Sequence, residues 1–77
     1  MITSDQIRAA RSMLRWTGKD LAEKSSVGFS TLMRLEAEPG VPNAQAKTLE
    51  ALRRTFEEAG IEFIGTPDSK AGVRWKS

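Results

Sequence analysis

Apolar residues along this chain recur with a helical period in its first three-quarters and with a strand period near its carboxyl end. Ile7, Ala10 and Leu14 fall at i, i+3 and i+7, one face of an amphipathic helix. Ahead of them Thr3 can cap the helix while Gln6 reaches back, a capping box, with Ile2 and Ile7 at the positions of a hydrophobic staple. "WTGKDLAEK" repeats that grammar: Thr17 caps, Asp20 closes the box at the positive end of the helix, and Trp16 can staple to Leu21. "VGFSTL" repeats it more weakly, with Gly28 as N-cap and Val27 placed to meet Leu32. Such closely spaced starts leave room only for tight turns between helices.

Pro39 and Pro42 make "EPGVPN" a loop. A longer helix is predicted to begin between residues 44 and 48, to bury Leu49, Leu52, Phe56 and Ala59, and to stop at Gly60. After Gly60, "IEFI" and "VRWK" alternate, which predicts a β-hairpin around the long, turn-rich segment "GTPDSKAG". The expected fold is mainly α, a small bundle of about four helices over residues 1–60, with a β-hairpin extension of the same domain over residues 61–77.

The third helix departs from simple patterning. On a wheel advancing about 100° per residue, Leu32 and Leu35 share one side with Thr31 near them, while Phe29, Ser30, Met33 and Arg34 cover the other. That second face offers two apolar groups, a hydroxyl and a guanidinium. Arginine can bond both acceptors of a guanine edge, serine can bond a base or phosphate, and apolar atoms pack on thymine methyls. A Phe–Met pair at i, i+4 can equally stabilise the helix, join the core or form a protein-binding patch, and the wheel alone leaves these open.

Composition narrows the chemistry. The 77 residues suit one small domain, large enough for a recognition surface but scarcely for a deep cleft as well. With no cysteine and no histidine, disulfides, thiolate metal sites and the commonest general base are absent. None of the ten acidic residues forms a convincing catalytic pair, so no enzyme, metal or cofactor is expected. The net charge of +2 permits nucleic-acid binding without announcing it, although the end "KAGVRWKS" carries Lys70, Arg74 and Lys76 with no acid. Apolar runs are too short to span a bilayer, and "MITSDQIR" lacks a signal peptide's apolar segment, so a cytoplasmic protein is expected.

The segment "IRAARSMLRWTGKDLAEKSSVGFSTLMRLE" resembles the phage-repressor and Cro-like (XRE family) helix-turn-helix regulators. It has the family's Leu21-Ala22 pair in the second helix, a short turn, and Thr31-Leu32-Met33-Arg34-Leu35-Glu36 at the expected separation. The resemblance implies a helix-turn-helix over residues 17–36, a repressor-type DNA-binding domain, with Phe29, Ser30, Met33 and Arg34 touching base edges. It also implies a tie between Arg11 and Glu36, joining the first and third helices and leaving Arg11's spare donors for a phosphate. Three departures stand out. Gly18 replaces the usual glutamine that reaches a phosphate from the second helix, Ser26 replaces a turn glycine at a cost on the order of 1 kcal/mol, and Gly28 replaces a common serine N-cap.

The expected phosphate contacts are Arg8, Arg11, Arg15, Thr17, Gly18, Lys19, Gly28, Asn43 and Lys47, and about half of the six side chains Arg8, Arg11, Arg15, Lys19, Asn43 and Lys47 are expected to matter. Arg53 with Glu57 and Arg54 with Glu58 read as solvent-facing i, i+4 pairs. Ile61, Phe63, Ile64, Val73 and Trp75 are candidates for a dimer interface, or else for a cover over the end of the monomer's own core. The expected function is sequence-specific binding of double-stranded DNA by a homodimer, a transcriptional regulator acting as repressor by occupancy. The competing expectation is a protein-interaction module, antiactivator or antitoxin-like, that presents Phe29 and Met33 to a protein partner.

Overall fold

The computed structural model describes residues 2–76. Its elements, in order, are α1 (Ser4–Leu14), α2 (Gly18–Ser25), α3 (Phe29–Ala37), α4 (Ala46–Glu58), β1 (Ile61–Thr66) and β2 (Ser69–Trp75). No described helix is long and apolar enough to cross a membrane.

Local chemistry sets each start. Thr3 accepts the Gln6 N–H at 3.1 Å while the Gln6 side chain accepts the Thr3 N–H at 2.8 Å, closing the first capping box. The second closes likewise, Thr17 accepting from the Asp20 N–H at 3.0 Å and Asp20 from the Thr17 N–H at 2.8 Å. Helix α3 begins at Gly28 with no side-chain cap. Past the end of α1, Arg15 is left-handed at φ 58°, and the Trp16 and Arg15 N–H groups turn back to the Arg11 and Ser12 carbonyls at 2.9 and 3.1 Å. This is a Schellman-type stop in which arginine occupies the position that favours glycine.

The turn between α2 and α3 has a left-handed residue that is not a glycine. Ser26 itself takes φ 62°, at a cost of about 1 kcal/mol. Buried Ser25 helps to hold the turn: its hydroxyl donates to the Leu21 carbonyl at 2.7 Å and accepts the Val27 N–H at 3.3 Å.

Ile2, Ile7, Ala10, Leu21, Leu32, Leu35, Leu52, Phe56 and Ile61 form one core, drawn from all four helices, the lead-in to α1 and β1. Trp16 stacks on Phe56 with ring centroids 5.8 Å apart, and Phe63 meets the same ring edge-on. Helix α1 packs against both α3 and β2, and α4 against β1, so the hairpin is built into the domain. Gln6 fastens it: the side-chain amide donates to the Ile64 and Gly72 carbonyls at 3.1 and 2.9 Å. Every buried side-chain polar atom among the described residues has a hydrogen-bond partner.

Three expectations need correction here. The hairpin loop is short, not long: the strands extend to a turn at Pro67 and Asp68, with a bulge where Thr66 faces both Ser69 and Lys70. Gly65 makes this possible, at φ 78° and so close to Lys70 that a side chain's first carbon would lie 2.2 Å from the Lys70 carbonyl oxygen. The expected interface residues mostly face inward. Ile61 is fully buried, and Phe63 and Val73 pack against the same core. The register pairs Ile61 with Trp75 and Phe63 with Val73 on the core side, whereas half-buried Ile64 lies opposite Gly72 on the other face, so it does not share a patch with exposed Trp75. Lastly, Arg53 pairs with Glu57 at 3.2 Å, but among the described ion pairs there is none between Arg54 and Glu58.

Candidate nucleic-acid interface

Helix α3 is held at its carboxyl end and free at its amino end. At the held end, Glu36 retains only 7% of its exposure and receives two hydrogen bonds from Arg11, from Nε at 3.2 Å and Nη2 at 2.8 Å. Such a two-pronged pair between guanidinium and carboxylate fixes orientation as well as distance. Ser4 adds a hydrogen bond to the Leu35 carbonyl at 2.8 Å, and Arg8 donates to the Glu36 carbonyl and to Asp5. These donors meet carbonyls at the negative end of the α3 dipole, where positive charge is favoured.

Two expected phosphate contacts are therefore engaged within the protein. Arg8 is committed to Asp5 and Glu36. Arg11 spends a third donor on the Trp16 carbonyl at 3.3 Å, leaving two of its five N–H groups for any outside partner. Both residues hold the frame instead of presenting a free cation.

Phe29 and Ser30 at the free end and Arg34 in the last turn are exposed, with Phe29 retaining 44% of its accessible surface. Met33 is half-buried and packs against the core, so the ridge is narrower than the wheel suggests. Phe29 and Met33 both close over Gly18 at the start of α2. A first side-chain carbon placed on Gly18 would lie 2.6 Å from the Met33 methyl carbon and 3.2 Å from Phe29 Cε1. Sequence patterning missed this packing. The available clue was the joint presence of a glycine at a helix start and a long apolar pair at i, i+4.

No protein-family model matches the chain, and no curated protein matches it. The surface must therefore be judged on its own chemistry. The side chains of Arg15, Lys19, Arg34 and Lys47 are exposed and make no ion pair with a described residue. Lys24 lies 5.2 Å over the Trp16 ring. Lys19 follows Gly18 directly, and Lys47 lies in the first turn of α4. Asn43 is exposed, its backbone N–H reaching Glu38 at 3.3 Å.

The start of α2 has mixed electrostatics. Gly18 and Lys19, its first two residues, have no intrahelical acceptor for their N–H groups, as at any helix start. Asp20 already places an anion there. The Thr17 N–H, then the Thr17 hydroxyl, and more weakly Lys24, hold its carboxyl below the ordinary value of 3.8. A phosphate approaching α2 thus meets two free N–H groups and Lys19 beside a carboxylate that stays charged. Among the described residues no cluster of acidic side chains has the make-up of a metal site.

Proposed function

We propose that the chain is a sequence-specific double-stranded-DNA-binding regulator of the phage-repressor and Cro-like kind, with α2 and α3 as its helix-turn-helix and α3 as the recognition helix. The observation that carries this reading is the polarity of α3. Its carboxyl end is locked by Arg11, Ser4 and Arg8, while one face holds Phe29 and Ser30 of the first turn and Arg34 of the last turn out to solvent. A rigid helix with an open, mixed face suits a major groove, where arginine reads guanine and apolar groups meet thymine methyls. Arg15, Lys19 and Lys47 supply cations for phosphates, with Thr17, Gly18, Gly28 and Asn43 as shorter-reach partners.

The protein acts by binding and not by catalysis. It binds as a homodimer for a geometric reason: paired recognition helices sit about 34–36 Å apart on successive major grooves. The described residues hold one such helix, so in this reading a second copy supplies the other. Occupancy of a near-palindromic operator by such a dimer represses transcription without further parts.

A second reading is favoured by one observation, the charged Asp20 carboxylate at the start of α2, the helix on whose Gly18 Phe29 and Met33 close, which suits a protein partner better than a phosphate backbone. Selection of bound duplexes from a random pool, followed by titration, separates the two. The DNA reading expects a preferred motif, relaxed at one position by Arg34→Ala and weakened alike for all sequences by Arg15→Ala. A chain that enriches no motif but copurifies with a stoichiometric protein partner belongs to the second class.

A further inference from the structure

Gly18 stands where a side chain would collide with the ridge. The position its first side-chain carbon would take is 2.6 Å from Met33 Cε, 3.5 Å from Met33 Sδ and 3.2 Å from Phe29 Cε1. The 2.6 Å separation cannot persist and the 3.2 Å one is tight, so any other residue forces the Met33 methyl to move and crowds Phe29. Gly18 does not take a positive φ, so its backbone is open to any residue and the glycine is not demanded by the turn. What demands it is the space occupied by two side chains of α3.

We propose that Gly18 is a positioning residue for base recognition: the absence of its side chain is the socket in which Met33 seats and beside which Phe29 is set. This rests on the DNA-binding reading and assigns to Gly18 a role distinct from phosphate contact. In it, Met33 packs inward as a support, and Phe29 is the apolar group delivered to the groove, flanked by Ser30 and Arg34. The colliding atom is the mobile end of a thioether, which can swing aside without disturbing the core. Alanine is also a better helix former than glycine. Gly18→Ala therefore leaves the fold intact and displaces the ridge. A radial gap of about 0.5–1 Å already forfeits a quarter to a half of a dispersion contact, so small displacements register at a thymine methyl.

The test combines duplex selection and melting on the whole chain, on Gly18→Ala, on Met33→Ala and on the double variant. Gly18→Ala is expected to melt at or above the parent temperature, with any change in its affinity for duplex falling unequally on different sequences. It should lose discrimination at one base pair of each half-site by roughly 5- to 100-fold. In the Met33→Ala background the same change should have a smaller effect, because the thioether is gone and only the tight approach to Phe29 Cε1 remains. A parent chain with no preferred motif sinks the DNA reading and this inference together. A parent motif unchanged by Gly18→Ala sinks this inference alone. So does an equal loss on every duplex, an effect that adds in full to that of Met33→Ala, or a Gly18→Ala chain that fails to fold.

Discussion

Thr3 with Gln6 and Thr17 with Asp20 start α1 and α2 by the same reciprocal hydrogen bonds, yet the first pair is buried and the second lies at the surface. The difference follows from the closing residue. Glutamine is neutral and carries donors as well as an acceptor, so Gln6 can close its box and also hold the Ile64 and Gly72 carbonyls from inside the fold. Aspartate is charged and accepts only, so Asp20 must stay near water and has nothing to offer a second element. One box has become a tertiary clamp. The other leaves the face of α2 and α3 open.

The contrast can be broken from either side. The largest effect is expected from Gln6→Ala, which strands the Thr3 N–H and two hairpin carbonyls. A loss of about 2–4 kcal/mol is expected in chemical unfolding, along with faster amide exchange throughout β1 and β2. Thr17→Ala removes only a local cap and should cost about 1 kcal/mol, with exchange altered near α2 alone. Equal costs for the two variants would refute the distinction.

A smaller effect of opposite sign concerns Arg15. Glycine at this left-handed position should stabilise the fold by about 0.5 kcal/mol, since relief of the strained backbone exceeds the added freedom of the unfolded chain. Arg15→Gly should nonetheless bind duplex more weakly at low salt and show a shallower salt dependence. A gain in stability with unchanged binding would mark Arg15 as a surface residue without a phosphate.

Acid should separate the boxes with the smallest effect. The folded Asp20 carboxyl titrates below its ordinary 3.8, so its contribution is complete above that value and is lost as pH falls through the lower folded value. Amide signals of Thr17 and Asp20 should move in that window, while those of Thr3 and Gln6, joined by a neutral side chain, should not titrate with them. Simultaneous movement of both sets would mean that acid unfolds the whole domain first.

Most of the helical part was legible because its signals are local. Capping boxes, the stripes of α1 and α4 and the stop at Gly60 depend on residues within a few positions of one another, and they are present except that Ala59 caps α4 half-buried instead of extending its stripe. The hairpin was legible as strands but not in its turn, because the approach of Gly65 to the Lys70 backbone becomes visible only once the strands are paired. Alternation showed which of Ile61, Phe63, Val73 and Trp75 share a face but not what covers it, and α1 and α4 supply most of that cover. In the candidate site, the exposure of Phe29, Ser30 and Arg34 followed from the wheel. The seating of Met33 on Gly18 and the engagement of Arg8 with Asp5 and Glu36 involve packing between elements, to which a helical wheel is blind.

The stacked Trp16 and the outlying Trp75 make the chain its own optical instrument. With two tryptophans and no tyrosine, its near-ultraviolet emission comes from one indole packed on Phe56 and one that is 53% exposed at the end of the hairpin. A soluble quencher should reach the second well before the first. Ligand arrival near α2 and rearrangement of the hairpin therefore produce separable light signals, with no dye attached.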